Sequence, residues 1–227
     1  MSTSKKILLA VLLVAVCAVG FLIIQVLMLS QPTQGEKIAR YAEPRRAVLV
    51  IDIQEDFTGT TAKPPFPYRD SEQLIAAVNT ITEAAAGSGV VVAYVRQELD
   101  GIRGRVLSTL FAGGTAIKGN PGTGIDRRVK VVSGDVFPKP ASDAFSNPEF
   151  EEFLIGRQVN ELYLVGLDAA GCIHATARGA LNRGYAVTIV TDAIVLREAE
   201  KWEELLQQYR DEGITLISTQ EFLDTTQ

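Results

Sequence analysis

From Ala47 onward, short β-branched apolar runs alternate with stretches whose apolar residues recur every three or four positions. That alternation predicts an α/β fold, a three-layer doubly wound sheet of about six parallel strands with helices on both faces. The run Ala47-Val-Leu-Val-Ile51 has no polar position, so it reads as a central strand buried on both sides. A helix is expected over Ser71–Ala86, closed by Gly87 and Gly89, and a second strand over Val90–Val95. Arg96–Arg128 carries seven glycines and no sustained period. It is too long for an ordinary connector, which predicts a lid, a binding loop or a contact surface with short helical turns inside it. Beyond it the pattern predicts a strand within Val129–Phe137, a helix near Pro148–Gly156 with the proline in its first turn, and a strand over Glu161–Val165 ending at Gly166. Helix Cys172–Arg183 stops at Gly184, strand Tyr185–Val190 follows, Arg197–Asp211 is helical with Gly213 as its cap, and Ile214–Ile217 is the last strand. Trp202, Leu205, Leu206 and Tyr209 form a helical stripe that belongs to the core.

The first thirty residues follow a different rule. Ile7–Leu29 runs for 23 positions without a charge, with only Gly20 and Gln25 outside the apolar set. As a helix it is about 34 Å long, enough to cross a bilayer. A cleaved signal peptide has an apolar stretch of roughly 7–15 residues and small residues before the cut, and Val16 before Cys17 does not suit a lipoprotein signal. The expectation is an uncleaved single-pass anchor over residues 7–29, with cleavage as the alternative, a short tail at 1–6, a polar linker at 30–44 and a soluble domain at 45–227. Lys5 and Lys6 precede the span, while Lys37, Arg40, Arg45 and Arg46 follow it, so the charges leave the side of the membrane open.

Composition narrows the function. With 47% hydrophobic and 22% charged residues, a disordered or low-complexity chain is excluded. Two cysteines, one inside the apolar segment, exclude a disulfide framework, and one histidine removes most zinc hydrolase motifs. A net charge of −5 argues against a nucleic-acid partner, and neither a phosphate-binding glycine loop nor a dinucleotide fingerprint follows any strand. The expected partners are a small molecule and, through residues 7–29, a lipid bilayer, with no cofactor and with a homo-oligomer left open.

In an open parallel sheet, ligands bind beyond the carboxyl ends of the strands. Asp52 follows Ala47–Ile51, Lys139 follows Val136-Phe137-Pro138, and Cys172 opens the helix after Glu161–Val165. A thiol, a carboxylate and an ammonium converging there can form a nucleophile, its base and a charge partner. A helix N-terminus and a nearby ammonium would both lower the thiol's pKa. Each residue alone also has a plain structural reading: Cys172 as a small packing residue, Asp52 as a turn cap, Lys139 as a solvated lysine. His174 is a poor partner for Cys172, because two helical positions are about 200° apart.

Three blocks nonetheless occur in order. They are Ala47-Val-Leu-Val-Ile-Asp52-Ile-Gln-Glu-Asp-Phe57, Lys139-Pro-Ala-Ser-Asp-Ala-Phe145, and Gly166 to Cys172 continuing through Ala175-Thr-Ala-Arg-Gly-Ala-Leu-Asn-Arg-Gly-Tyr185. With these, nearly the whole soluble domain resembles the isochorismatase-like cysteine hydrolases, a family that includes nicotinamidases and other small-amide hydrolases. The resemblance implies a six-stranded parallel sheet, a catalytic set of Asp52, Lys139 and Cys172, a cis peptide at Leu167–Asp168, and an oxyanion hole made by the N–H groups of Asp168 and Cys172. Phe57, Arg96, Phe145 and Asp168 are the substrate-binding candidates. The region after Phe57 contains no histidine, so the metal ligands of nicotinamidases have no counterpart and no metal site is expected. Asp168 has two readings: its side chain binds a donor-rich group of the substrate, or it caps the following helix.

The function expected is therefore a membrane-tethered cysteine hydrolase that cleaves an amide-type C–N bond of a small molecule through a thioester. The alternatives are a catalytically silent small-molecule-binding domain, or a haloacid-dehalogenase-like phosphatase. Val50-Ile-Asp52-Ile-Gln54 is similar to the first-strand motif of the latter, with Gln54 where a second Asp belongs.

Overall fold

A computed structural model describes residues 3–62, 68 and 71–226. In chain order the elements are α1 (Thr3–Ser30), β1 (Arg45–Ile51), α2 (Ser71–Gly87), β2 (Val91–Gln97), α3 (Gly101–Phe111), β3 (Val136–Lys139), α4 (Pro148–Gly156), β4 (Val159–Leu167), α5 (His174–Arg183), β5 (Ala186–Val195), α6 (Trp202–Asp211), β6 (Thr215–Ile217) and α7 (Thr219–Asp224). Among the described residues the strands form one six-stranded sheet in the order β3-β2-β1-β4-β5-β6, every neighbouring pair parallel. Chain order reverses at the β1/β4 boundary, the place where an open sheet of this kind forms a crevice.

β1 shows why the centre holds. Its apolar residues alternate between the two faces: Ala47, Leu49 and Ile51 pack with Phe150, Leu154 and Ile173, while Val48 and Val50 pack with Leu74, Val78 and Phe222. Both faces are covered, so an uninterrupted apolar run is the sequence that fits. The α/β architecture is the one expected, and most elements fall within two residues of expectation.

Four differences have identifiable causes. The segment Arg96–Arg128 contributes its first two residues to β2 and then forms α3, three turns long, where only short helical turns were expected. Gly104, Leu107 and Ser108 are its buried positions, while Ile102, Val106 and Leu110 point outward, so no apolar-in, polar-out stripe marks it. β3 begins only at Val136, because Val129–Asp135 carries apolar residues without pairing in the sheet. α7 is short but has a complete capping box between Ser218 and Glu221. Cys172 sits in a five-residue π turn, Ala169–Ile173, one step ahead of α5.

α1 is 28 residues long and, by length and composition, apolar enough to cross a membrane. Leu22, Gln25, Val26 and Leu29 are partly buried, a helical stripe along its last turns that rests on the domain. The segment 31–44 has no regular secondary structure, yet it is bonded to the domain as a strap. Thr33 donates from N–H and Oγ1 to Asp143 Oδ2, both at 2.7 Å, and Ile38 N–H donates to Arg183 O at 2.8 Å. The buried Arg183 donates to Thr33 Oγ1 at 2.9 Å and to Gln34 O at 3.0 Å, and its Nε pairs with Glu151 at 2.7 Å. At the end of α1, Ser142 N–H donates to Leu29 O at 2.9 Å, which ties the helix to the loop after β3.

Candidate active site

Three strand ends deliver three side chains to one point. β1 ends at Ile51 and the chain turns at Asp52, whose φ of 57° is unusual for a residue with a side chain. Its N–H is held by Val95 O at 2.8 Å. The turn passes close against β4. Gly166, at φ 119°, lies where a Cβ would come 2.0 Å from Ile51 O, so only glycine fits. Lys139 is the last residue of β3, and Cys172 stands in the π turn that follows β4 and the cis peptide Leu167–Asp168.

Lys139 is fully buried, and its Nζ lies 2.9 Å from Asp52 Oδ2, 3.1 Å from Cys172 Sγ, 2.6 Å from Gln97 Oε1 and 3.2 Å from Ala141 O. A buried ammonium is tolerated only with such partners. Burial alone would depress its pKa, but the Asp52 charge and Cys172 outweigh this and hold it above the ordinary lysine value. Asp52 Oδ1 is buried and takes no hydrogen bond from any N–H or O–H donor among the described residues. An unpaired acceptor of that kind is costly and calls for a reason.

Sequence reasoning expected a lowered thiol pKa, and here the structure differs. Burial and then the Asp52 carboxylate push Cys172 up to about 12, against the opposing pull of Lys139. The resting site therefore pairs a protonated thiol with a carboxylate, and the thiolate forms only when a proton moves.

Asp52 and Cys172 border a cavity of about 420 Å³, within the range of small-molecule sites, while Lys139 lies behind them, fully buried. Phe57 and Asp168 line it as well. Asp168 is already occupied: Oδ1 accepts from Ala170 N–H at 2.9 Å, capping the π turn, and Oδ2 accepts from Arg197 N–H at 2.9 Å and Tyr68 Oη at 3.4 Å. Burial raises its pKa against those donors. Of its two readings, the cap is the one its bonds show.

Two substrate-binding candidates need correction. Phe145 does not line the cavity. It is buried in the core against Phe150 and Tyr185, with the Arg183 guanidinium 4.5 Å from its ring centre. Arg96 does not line it either, because its guanidinium is drawn to Glu98 at 2.8 Å and to Thr123 O at 3.2 Å. His174 faces α6, with Nε2 2.7 Å from Glu212. Gln54 clamps the backbone of Gln97, accepting its N–H at 2.6 Å and donating to its carbonyl at 3.0 Å.

Several lining residues escaped the sequence reading. Gln97 stands at the carboxyl end of β2, and the same strand-end rule that found Asp52 would have found it. Tyr68 lies in a segment with no signal of its own, and Arg197, expected to open a helix that starts only at Trp202, lies in the turn ahead of it. Val26, Leu29 and Ser30, from the end of α1, form part of the wall, and no periodicity places an apolar helix beside a pocket. Among the described residues no group of three or more His, Cys, Asp and Glu is placed to hold a metal ion.

This arrangement defines a cysteine-centred site on a parallel sheet, and comparison with known proteins supplies the family. The isochorismatase domain model matches residues 46–221, and the chain belongs to that family. It is 29% identical over 158 residues to N-carbamoylsarcosine amidase of an Arthrobacter species, covering 66% of this chain and 59% of that protein. It is 29% identical over 152 residues to streptothricin hydrolase of Streptomyces noursei, covering 66% of this chain and 54% of that one. The chain thus spans little more than half the length of these relatives. Among solved structures, an isochorismatase family protein from Desulfovibrio vulgaris superposes with a TM-score of 0.70 at 26% identity, over 81% of this chain and 98% of its own.

Proposed function

We propose that the protein is a cysteine hydrolase of small amides, tethered to a membrane by α1. The observation that carries the reading is the contact of one buried ammonium with both a thiol and a carboxylate, beside a carboxylate oxygen that accepts from no N–H or O–H among the described residues. In the proposed cycle, Asp52 takes the Cys172 proton as Sγ attacks the substrate carbonyl carbon. The N–H groups of Asp168 and Cys172 receive the oxyanion. As the C–N bond breaks, Asp52 returns the proton to the leaving nitrogen, and a thioester remains on Cys172. Water then attacks the thioester and gives a proton to Asp52, the C–S bond breaks, and the thiol is restored as the acid leaves. Lys139 stays protonated and balances whichever of its two neighbours is charged. The name of one relative, N-carbamoylsarcosine amidase, supports an amide or N-carbamoyl substrate. The tether rests on α1, whose large apolar side chains such as Leu13 and Val14 are exposed over 28 residues, more apolar surface than water tolerates on a lone helix.

The test is ammonia release from a panel of small primary amides and N-carbamoyl amines by the full chain in detergent micelles, with Cys172→Ala as the blank. Turnover should be lost by at least about two orders of magnitude in the variant. Equal ammonia release by the two proteins would overturn the reading.

A further inference from the structure

The cavity is walled by apolar parts that catalysis of a small polar amide does not require. Val26 and Leu29 from α1 face it together with Leu107 and Phe111 from α3 and Phe57 from the turn after β1. α3 is apolar on its other side too. Ile102 is 86% exposed, Val106 43% and Leu110 59%, and their four-residue spacing draws one strip along the helix. Phe111, which lines the cavity, is itself 49% exposed. Outside α1, only Val131 and Ile155 join these four as exposed large hydrophobics among the described residues. The exposed apolar surface of the domain is thus concentrated on the helix that shares a cavity with the anchor. Arg103 and Arg105, also exposed, flank the strip on either side, and α3 carries no acidic residue. A helix apolar on both faces with arginines at the margin of its outer strip fits the boundary between lipid headgroups and acyl chains.

The position of α1 relative to the cavity is built in. The Ser142–Leu29 hydrogen bond and the strap through Thr33, Asp143 and Arg183 hold the end of α1 at the mouth. If α1 spans a bilayer, the cavity must then open at its surface.

We infer that α3 rests in the membrane interface beside α1, and that the substrate is an amide bearing an apolar chain, which enters from the bilayer and lies between the two helices while its carbonyl reaches Cys172. This rests on the tethered amidase reading above and extends it to a substrate class. The apolar wall would hold the chain, and the polar end of the cavity, lined by Asp52, Gln97 and Cys172, would hold the amide.

Two measurements on the full chain in lipid nanodiscs decide it. In the first, Ile102→Trp or, separately, Leu110→Trp is placed in a Trp202→Phe background and the disc lipids are replaced by phosphatidylcholine brominated on its acyl chains. A strip sunk about 5–10 Å below the surface should lose about half or more of its fluorescence. Unquenched emission from both positions would overturn the membrane contact. In the second, kcat/KM is measured for linear primary amides from acetamide to decanamide. It should rise about three- to fourfold per methylene until the cavity is filled. A flat series overturns the apolar-chain substrate while leaving the amidase reading intact. Absence of turnover for every amide strikes at the amidase reading itself, and the quenching result still decides whether the mouth meets the bilayer.

Discussion

Replacing Asp52 by Asn should make Cys172 more reactive toward a simple alkylating agent while abolishing turnover. Asp52 Oδ2 and Cys172 Sγ both contact Lys139 Nζ, at 2.9 and 3.1 Å, so they lie within about 6 Å of each other. At an effective dielectric constant of about 20, two negative charges at that distance repel by about 2.8 kcal/mol, roughly a hundredfold in thiolate fraction. Removing the carboxylate removes that repulsion and also frees Lys139 to pair with the thiolate, so the variant's thiol ionises at lower pH. Intrinsic nucleophilicity falls with thiol basicity by about half as much on a logarithmic scale, which leaves a net gain of about tenfold in alkylation rate. The assay is iodoacetamide labelling of the full chain at pH 8, read by mass spectrometry on the peptide containing Cys172 so that Cys17 does not interfere. In the unmodified protein the thiol is pushed up to about 12, so labelling should climb about tenfold per pH unit across the alkaline range. The Asn variant should label faster at pH 8 and level off at lower pH. Equal or slower labelling in the variant would refute the coupling between the two groups, and with it the contribution of Asp52, beside burial, to keeping the resting thiol protonated.

Two further outcomes follow from the same contacts. Lys139→Met strands the Asp52 carboxylate in the interior and should cost about 3–5 kcal/mol, a Tm loss of about 10 °C, whereas combining it with Asp52→Asn should recover most of that loss, and simple additivity in a thermal-denaturation cycle would show the pair to be uncoupled. Amide hydrolysis should survive exhaustive dialysis against a chelator, since the one histidine is paired with Glu212 and the Cys172 thiol with Lys139; loss on chelation with recovery on adding Zn²⁺ or Fe²⁺ would count against a metal-free mechanism.

Much of the fold was legible because burial on two faces writes itself into sequence. β1 from Ala47 to Ile51 and β2 from Val91 to Val95 are apolar without interruption, and α2, α4 and α5 carry caps and breaks at their ends, including Gly184 in the left-handed region after α5. What failed to show was governed by tertiary contacts. Nothing local distinguishes Val129–Val132 from a strand, because Val129 and Val132 are apolar for packing against the core and do not pair in the sheet. α3 was unreadable for the opposite reason, being apolar on the side that a water-facing helix makes polar.

At the site, the strand-end rule and the motif spacing brought out Asp52, Lys139 and Cys172, whereas charge and burial decided what no spacing can express. A thiol at a helix start with a lysine nearby suggests a lowered pKa when only those two features are counted. Burial first, and then the carboxylate that shares the lysine, reverse the sign, because the ammonium must serve two anionic sites and cannot stabilise both fully at once. Phe145 illustrates the same limit. Its place in a motif suggested substrate contact, but the ring faces Arg183, and Arg183 is the residue that holds the strap behind α1. That motif position thus bears on the site through the chain's N-terminal segment: it packs under Arg183, which bonds the strap behind α1, and the end of α1 forms part of the wall of the cavity that Cys172 borders.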